Sequence, residues 1–198
     1  MRVAVFGAKG RTGRLVVEEL ARRGHAVVAV SRDGAHVAGA QAAAADPATG
    51  AGVEAALAGA DAVASALASG KGNLACSGLA RALGGRTGLR YVTVAGAAVD
   101  HPGDRKGLAD NAVSWISRKV AGEVVLDRQR ELEVLRGSSL RWTMLRPPRL
   151  VDGPAKGAVK LSHERPQTLS IPRADLARAV ADALEDDALV GRAPFVSA

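Results

Sequence analysis

The chain has 198 residues, 47% hydrophobic but only 3% aromatic, so it can bury a sizeable core, and that core must be built from Val, Leu and Ala. Lys and Arg number 27 against 20 Asp and Glu, a formal charge of +7, with an isoelectric point of about 10.3. That balance favours anionic partners, but the charge is dispersed with no long Lys/Arg run, which argues for a solvated basic surface and against nucleic acid.

Val3 to Phe6 is a short apolar run ending at Gly7 and predicts a buried strand. Arg11 to Arg23 carries Leu15, Val16 and Leu20 at helical spacing, with Gly24 as its stop. Ala26 to Ser31 is a second strand, and Gln41 to Asp46 a weak third, since Ala is a poor strand former. A helix over Val53 to Leu57, a strand over Ala62 to Leu67, a helix over Asn73 to Leu83 and a strand over Arg90 to Ala95 follow. Gly96 to Asn111 reads as loop. Val113 to Arg136 reads as helix with a break near Gly122. Leu140 to Leu145 is a sixth strand stopped by Pro147-Pro148. A turn at His163-Glu164-Arg165 precedes a short strand over Thr168 to Ile171. Ile171-Pro172 sets the entrance to a last helix over Arg173 to Leu184, with Asp175 in its first turn. Strands alternating with helices predict one doubly wound α/β domain over residues 1–198, a mostly parallel sheet with helices on both faces.

Cys76 is the only cysteine, so no intrachain disulfide forms and a reducing compartment fits. His25, His36, His101 and His163 lie too far apart for ligand spacing, and no metal site is expected. Met1 is followed by a charge and a strand-like run. No signal-type segment and no membrane-crossing stretch is visible, so a cytoplasmic monomer without a membrane partner is the expectation.

The stretch VFGAKGRTGRLV, residues 5–16, places three glycines three apart between the first strand and the first helix. A parallel α/β sheet binds ligands beyond the carboxyl ends of its strands, where the helix N-terminus favours an anion. Gly7, Gly10 and Gly13 have separate tasks there: the tight turn, backbone approach to a pyrophosphate, and close helix–sheet packing. A dinucleotide is the expected ligand, with Lys9, Arg11 and Thr12 in the same turn; a purely structural turn is the alternative. The end of the second strand discriminates the cofactor. Ser31-Arg32-Asp33 offers both a cation and an acid, Asp33 standing 20 residues past Gly13. Because the strand ends at Ser31, Arg32 enters the adenosine pocket first. A guanidinium suits a 2′-phosphate, so NADP is favoured over NAD.

Five segments in order, VAVFGAKGRTGRLVVEELARRGHAVVAVSRD, ADAVASAL, RYVTVAGA, ELEVLRGSSLRWTMLRPPRLVDGP and IPRADLARAVADAL, resemble the atypical short-chain dehydrogenases. The resemblance is to the NAD(P)H-binding and NmrA-like proteins, nearest to flavin/biliverdin-IXβ reductase. It implies a Rossmann-type fold and further cofactor contacts. Asp46 would sit by the adenine. Ala66, Leu67 and Ala68 would line the ribose side. Ala95 and Gly96 would approach the nicotinamide, with Pro147, Pro148 and Arg149 edging its far side.

The departures bear on chemistry. Alcohol-oxidising relatives use Tyr-x-x-x-Lys, but the only tyrosine, Tyr91, lies inside the fifth strand, and Lys119 has Trp115 four residues before it. Where the reductase pattern places a serine and a histidine, this chain has Gly96 and Arg149, and the helix position that often carries Lys or His is Arg128. Arg149 and His101 are therefore the catalytic candidates. Histidine titrates near neutral pH, although an exposed loop histidine is the plainer reading of His101. Ser65 and Ser69 lack a His/Asp arrangement, and Cys76 and Trp142 read as packing. The resemblance then implies an NADPH-dependent oxidoreductase that passes hydride to a flat conjugated small molecule: a flavin, quinone or tetrapyrrole. The alternative is an NmrA-like dinucleotide sensor without turnover. An epimerase or dehydratase needs the missing Tyr-Lys pair.

Overall fold

The computed structural model describes residues 1–70, 72–105, 107 and 122–198. The first half comprises β1 (Arg2–Phe6), α1 (Arg11–Arg22), β2 (Ala26–Ser31), β3 (Gln41–Ala44), α2 (Val53–Ala56), β4 (Ala62–Ser65), α3 (Ala75–Leu83) and β5 (Arg90–Val94). The second half comprises α4 (Gly122–Arg136), β6 (Arg141–Leu145), β7 (Arg149–Val151), β8 (Lys160–Ser162), β9 (Ser170–Pro172), α5 (Arg173–Glu185) and β10 (Phe195–Ser197). Trp115, Lys119 and the expected helix before Gly122 lie outside the described residues.

The central sheet has six strands in the order β3-β2-β1-β4-β5-β6, all parallel. This is the Rossmann-type order, in which the chain reverses direction of growth between β1 and β4. Side chains alternate across the sheet. Val3 and Val5 join one core with Val17, Leu20, Val180 and Leu184. Ala4 and Phe6 join the other with Leu79, Leu83, Leu132 and Met144. Helices α1 and α5 pack together on the first face, α3 and α4 on the second. The mostly apolar β1 and β4 are buried on both sides from Val3 to Phe6 and from Ala62 to Ser65, as central parallel strands must be. The Ala-rich β3 survives as a half-exposed edge because β2 templates it through Val28↔Gln41 to Ser31↔Ala44.

The C-terminal elements carry little signal of their own. β7, β8 and β10 have three residues each and exist through their partners. β7 pairs in parallel with β9, and β8 antiparallel with β10. Before β10 the chain runs beside β6, bridging Thr143↔Arg192 and Arg146↔Phe195 in parallel. Arg146 anchors this edge. Fully buried, it forks onto Asp104 at 2.6 and 2.7 Å, donates to Val99 O and Ala193 O, and stacks 3.9 Å from the Phe195 ring centre.

Candidate functional site

Gly7 ends β1 at φ +77°, and a Cβ there would stand 2.7 Å from Ala66 O, so the turn crosses the end of β4 at a distance only glycine permits. A Cβ on Gly13 would lie 2.0 Å from Gly7 O: α1 sits directly on the turn. Gly10 differs. Its backbone is ordinary, φ −69° and ψ 161°, and its missing Cβ would meet only Gly7 O at 3.2 Å. Gly7 and Gly13 are thus required by packing, while Gly10 keeps space open. No side chain caps α1, so its first-turn N–H groups stay available to an anion.

A cavity of about 590 Å³ opens at this turn. Gly7, Lys9 and Gly10 form one wall, Arg32 and Asp46 the β2–β3 side, and Ala66 to Ala68 the β4 side. Its charges are already sorted. Lys9 Nζ donates to Asp33 Oδ2 at 2.5 Å, and Ser31 Oγ donates to Asp33 Oδ1 at 3.0 Å. The Lys9 contact, with Ser31 behind it, holds the Asp33 carboxyl down at about 2. Arg32 is exposed, and no partner holds its guanidinium among the described residues. Asp46 spends Oδ1 on Ala48 N at 3.0 Å, a local turn.

A second cavity of about 270 Å³ adjoins the first across Ala66, Leu67 and Ala68. Thr12, Ala95 and Gly96 border it. Among the described residues its remaining walls are apolar except at Arg128. That guanidinium is committed: it donates to Thr93 Oγ1 at 3.1 Å, Glu131 Oε2 at 2.6 Å and Leu67 O. Burial pulls its pKa down, but Glu131 outweighs this and the net direction is up, so Arg128 keeps its proton. Tyr91 donates to Glu131 at 2.7 Å, and burial, reinforced by Glu131, pushes its phenol well up; it cannot serve as an acid. Burial raises the Cys76 thiol to about 11, which makes it inert as a nucleophile.

The expected residues divide cleanly. Gly7, Lys9, Gly10, Arg32, Asp46 and Ala66 to Ala68 meet at the first cavity, and Thr12, Ala95 and Gly96 at the second. Gly13 lies beneath the turn. Arg11 lines neither cavity and pairs outward with Asp152 at 3.2 Å. Pro147, Pro148 and Arg149 line neither; Pro147 O instead accepts from Ala97 N at 2.9 Å. Arg149 is exposed, and strand alternation places it opposite Leu150, which does border the second cavity. His101 also lines neither, and burial together with nearby Arg146 lowers its pKa, favouring the neutral ring.

Sequence reasoning left out Pro47, Asn73 and Ala75 in the first cavity and Ala98, Val124 and Val125 in the second. Strand-end position would have found the first of these. Val124 and Val125 arrive on α4, and only the packing of α4 on α3 puts them there.

Among the described residues no helix is long and apolar enough to cross a membrane. No curated protein matches the chain. Among solved structures it is similar to a Burkholderia pseudomallei protein provisionally described as exported, at 30% identity, TM-score 0.74 and 100% of both chains. The anaerobillin reductase ChuY of Escherichia coli O157:H7 aligns at 21% identity and TM-score 0.79, over 99% of this chain and 96% of that one. A Streptococcus pneumoniae TIGR4 protein provisionally assigned as an NADH-flavin reductase aligns at 24% identity and TM-score 0.77, over 99% and 98%. The glycine turn, the uncapped α1 and the adjoining cavities are the parts a nicotinamide dinucleotide needs, and the NAD(P)H-binding family model matches residues 7–187: the chain belongs to that family.

Proposed function

We propose that the protein is an NADPH-dependent reductase whose second cavity receives a flat conjugated acceptor: a flavin, quinone or tetrapyrrole. The observation that carries this reading is the junction of the two cavities at Ala66, Leu67 and Ala68, with no free acid or base among the described residues of the second. When bound, the reduced nicotinamide supplies a hydride. The chain's own part is to hold and screen. Gly7 and Gly10 admit the pyrophosphate to the N–H groups of α1. Arg32 meets the 2′-phosphate, while Lys9 neutralises Asp33, which would otherwise repel it. Val124, Val125 and Leu150 keep the acceptor cavity apolar and displace water from an acceptor ring. Arg128, held by three partners, fixes the wall.

A conjugated ring takes its balancing proton from solvent, so the missing Tyr-Lys pair is tolerated. Arg149 is assigned to the outer rim, where it attracts an anionic acceptor at long range. His101 is assigned no proton transfer. The absence of a free acid or base among the described residues of the second cavity also favours a second reading, a dinucleotide sensor that regulates a partner. NADPH consumption against a panel of flavins, quinones and tetrapyrroles separates the two. Turnover of at least one acceptor supports the reductase; NADP binding with no turnover across the panel supports the sensor.

A further inference from the structure

The loop between β4 and α3 lines both cavities: Leu67 and Ala68 face each of them, and Asn73 the first. After Ala66 N bonds Phe6 O, the loop backbone up to Asn73 makes no hydrogen bond to the sheet among the described residues; Asn73 N turns back on Gly70 O. Among the described residues its side-chain ties run mainly to α4, with Ser69 Oγ also 2.9 Å from Cys76 Sγ on α3. Arg128 donates to Leu67 O, Asp127 accepts from Ser69 Oγ, and Glu123 accepts from Gly72 N at 3.2 Å. Asp127 also reaches the first turn of α3, accepting from Cys76 N at 3.1 Å, Ser77 N at 3.3 Å and Ser77 Oγ at 2.5 Å. It is fully buried and lines neither cavity.

We infer that Asp127 is a positioning residue of the dinucleotide site, setting dinucleotide affinity through Ser69 and the loop that α4 holds. The inference rests on the dinucleotide occupying the first cavity and does not depend on which acceptor is reduced. A carboxylate with these donors serves two ends. Toward Cys76 and Ser77 it caps α3, which is a matter of stability. Toward Ser69 it fixes the wall that the ribose and nicotinamide lie against, which is a matter of affinity. The two ends separate by mutation.

Calorimetric titration with NADP, at a temperature where circular dichroism shows each variant folded, reads the affinity; thermal unfolding reads the stability. Ser69→Ala is expected to raise Kd about tenfold, the scale of one hydrogen bond to a carboxylate, and to lower Tm less than Asp127→Asn does. Asp127→Asn is expected to raise Kd about tenfold as well, and to lower Tm further. Ser77→Ala removes one contact at the capping end, leaving the backbone bonds from Cys76 N and Ser77 N, and is expected to lower Tm with Kd unchanged. Wild-type affinity in Ser69→Ala, or a Kd in Ser77→Ala that moves as far as in Ser69→Ala, would overturn the proposal. Wild type that binds neither NADP nor NAD would overturn it together with the site on which it rests.

Discussion

The two cavities lie side by side yet are built by opposite means. The first is made of backbone: a glycine turn, an uncapped helix and strand ends, with Lys9 and Arg32 as its cations. The second is made of side chains from distant segments, and its one charge, Arg128, is already spent on Thr93, Glu131 and Leu67. Backbone geometry fixes a phosphate-bearing ligand common to a whole family. Apolar side chains set shape and exclude water but carry no local signature of what they receive. A fold held in common therefore says more about the cofactor than about what is reduced.

The largest expected effect breaks the first region from within. Gly13→Ala forces a methyl 2.0 Å from Gly7 O, with backbone on both sides. Overpacking of this kind costs about 3 kcal/mol, or roughly 8 °C in Tm for a chain of this size. Gly10→Val meets far less resistance and is expected to keep Tm within about 3 °C while raising the NADP Kd at least about tenfold. Thermal unfolding beside calorimetry checks both. A Gly10→Val protein that folds and binds NADP as wild type does would remove the phosphate from this turn.

Next in size, Arg32→Ala should weaken NADP by about 1.5–3 kcal/mol through the loss of one charge-assisted contact, and weaken NAD much less. Dissociation constants for both cofactors at one ionic strength measure it. Equal losses would show that Arg32 does not read the 2′-phosphate.

The third effect concerns the charge network that ties α1, the helix opening at the glycine turn, to α5. Glu19 on α1 accepts from Arg22 and Arg23, and Arg23 continues to Asp182 and Glu185 on α5. Arg22, with Arg23 behind it, holds the Glu19 carboxyl down at about 2 against the opposing push of burial. A depressed folded pKa gives stability that is fully present above the unfolded value, about 4.3, and lost as pH falls toward 2. Glu19→Gln is therefore expected to lower Tm by about 5 °C at pH 7, with the gap to wild type closing between pH 4 and pH 2. A gap that stays constant across that range would separate Glu19 from the network.

The smallest effect is at the rim. Arg149 is exposed and lines neither cavity, and exposed charges contribute about 0–1 kcal/mol. Arg149→Ala is expected to raise KM for FMN by no more than about threefold and to leave a neutral quinone unchanged. Equal KM shifts for the two acceptors would deny it a part in reading charge.

The same division governs what was legible in the sequence. Gly7, Gly10 and Gly13 announced the turn because its requirements are local: a positive φ, a close approach and a helix start all fall within seven residues. The end of β2 at Ser31 could be read for the same reason, and with it the order of Arg32 and Asp33. Asp127 and Glu131 could not be read, and Arg128 was placed by resemblance without its burial or its partners. In GEVVLDRQRELEVLR they look like the charged face of a surface helix, yet all three are buried. Their partners, Ser69, Ser77, Thr93, Leu67 and Tyr91, lie 35 to 61 residues away for all but Arg128–Glu131. Arg146 was equally silent within the Leu-Arg-Pro-Pro run, because Asp104 and Phe195 come from a loop and a C-terminal strand that only the folded chain brings together.

The most direct test of two adjoining stations, one for the dinucleotide and one for the acceptor, is to fill the second and watch the first. Ala98 borders only the second cavity. In Ala98→Trp, NADPH affinity and acceptor reduction are measured on the same preparation. The account predicts an NADPH Kd within about twofold of wild type and loss of reduction for every acceptor the wild type accepts. Reduction that persists in the filled cavity, or dinucleotide binding that falls with it, would contradict the account.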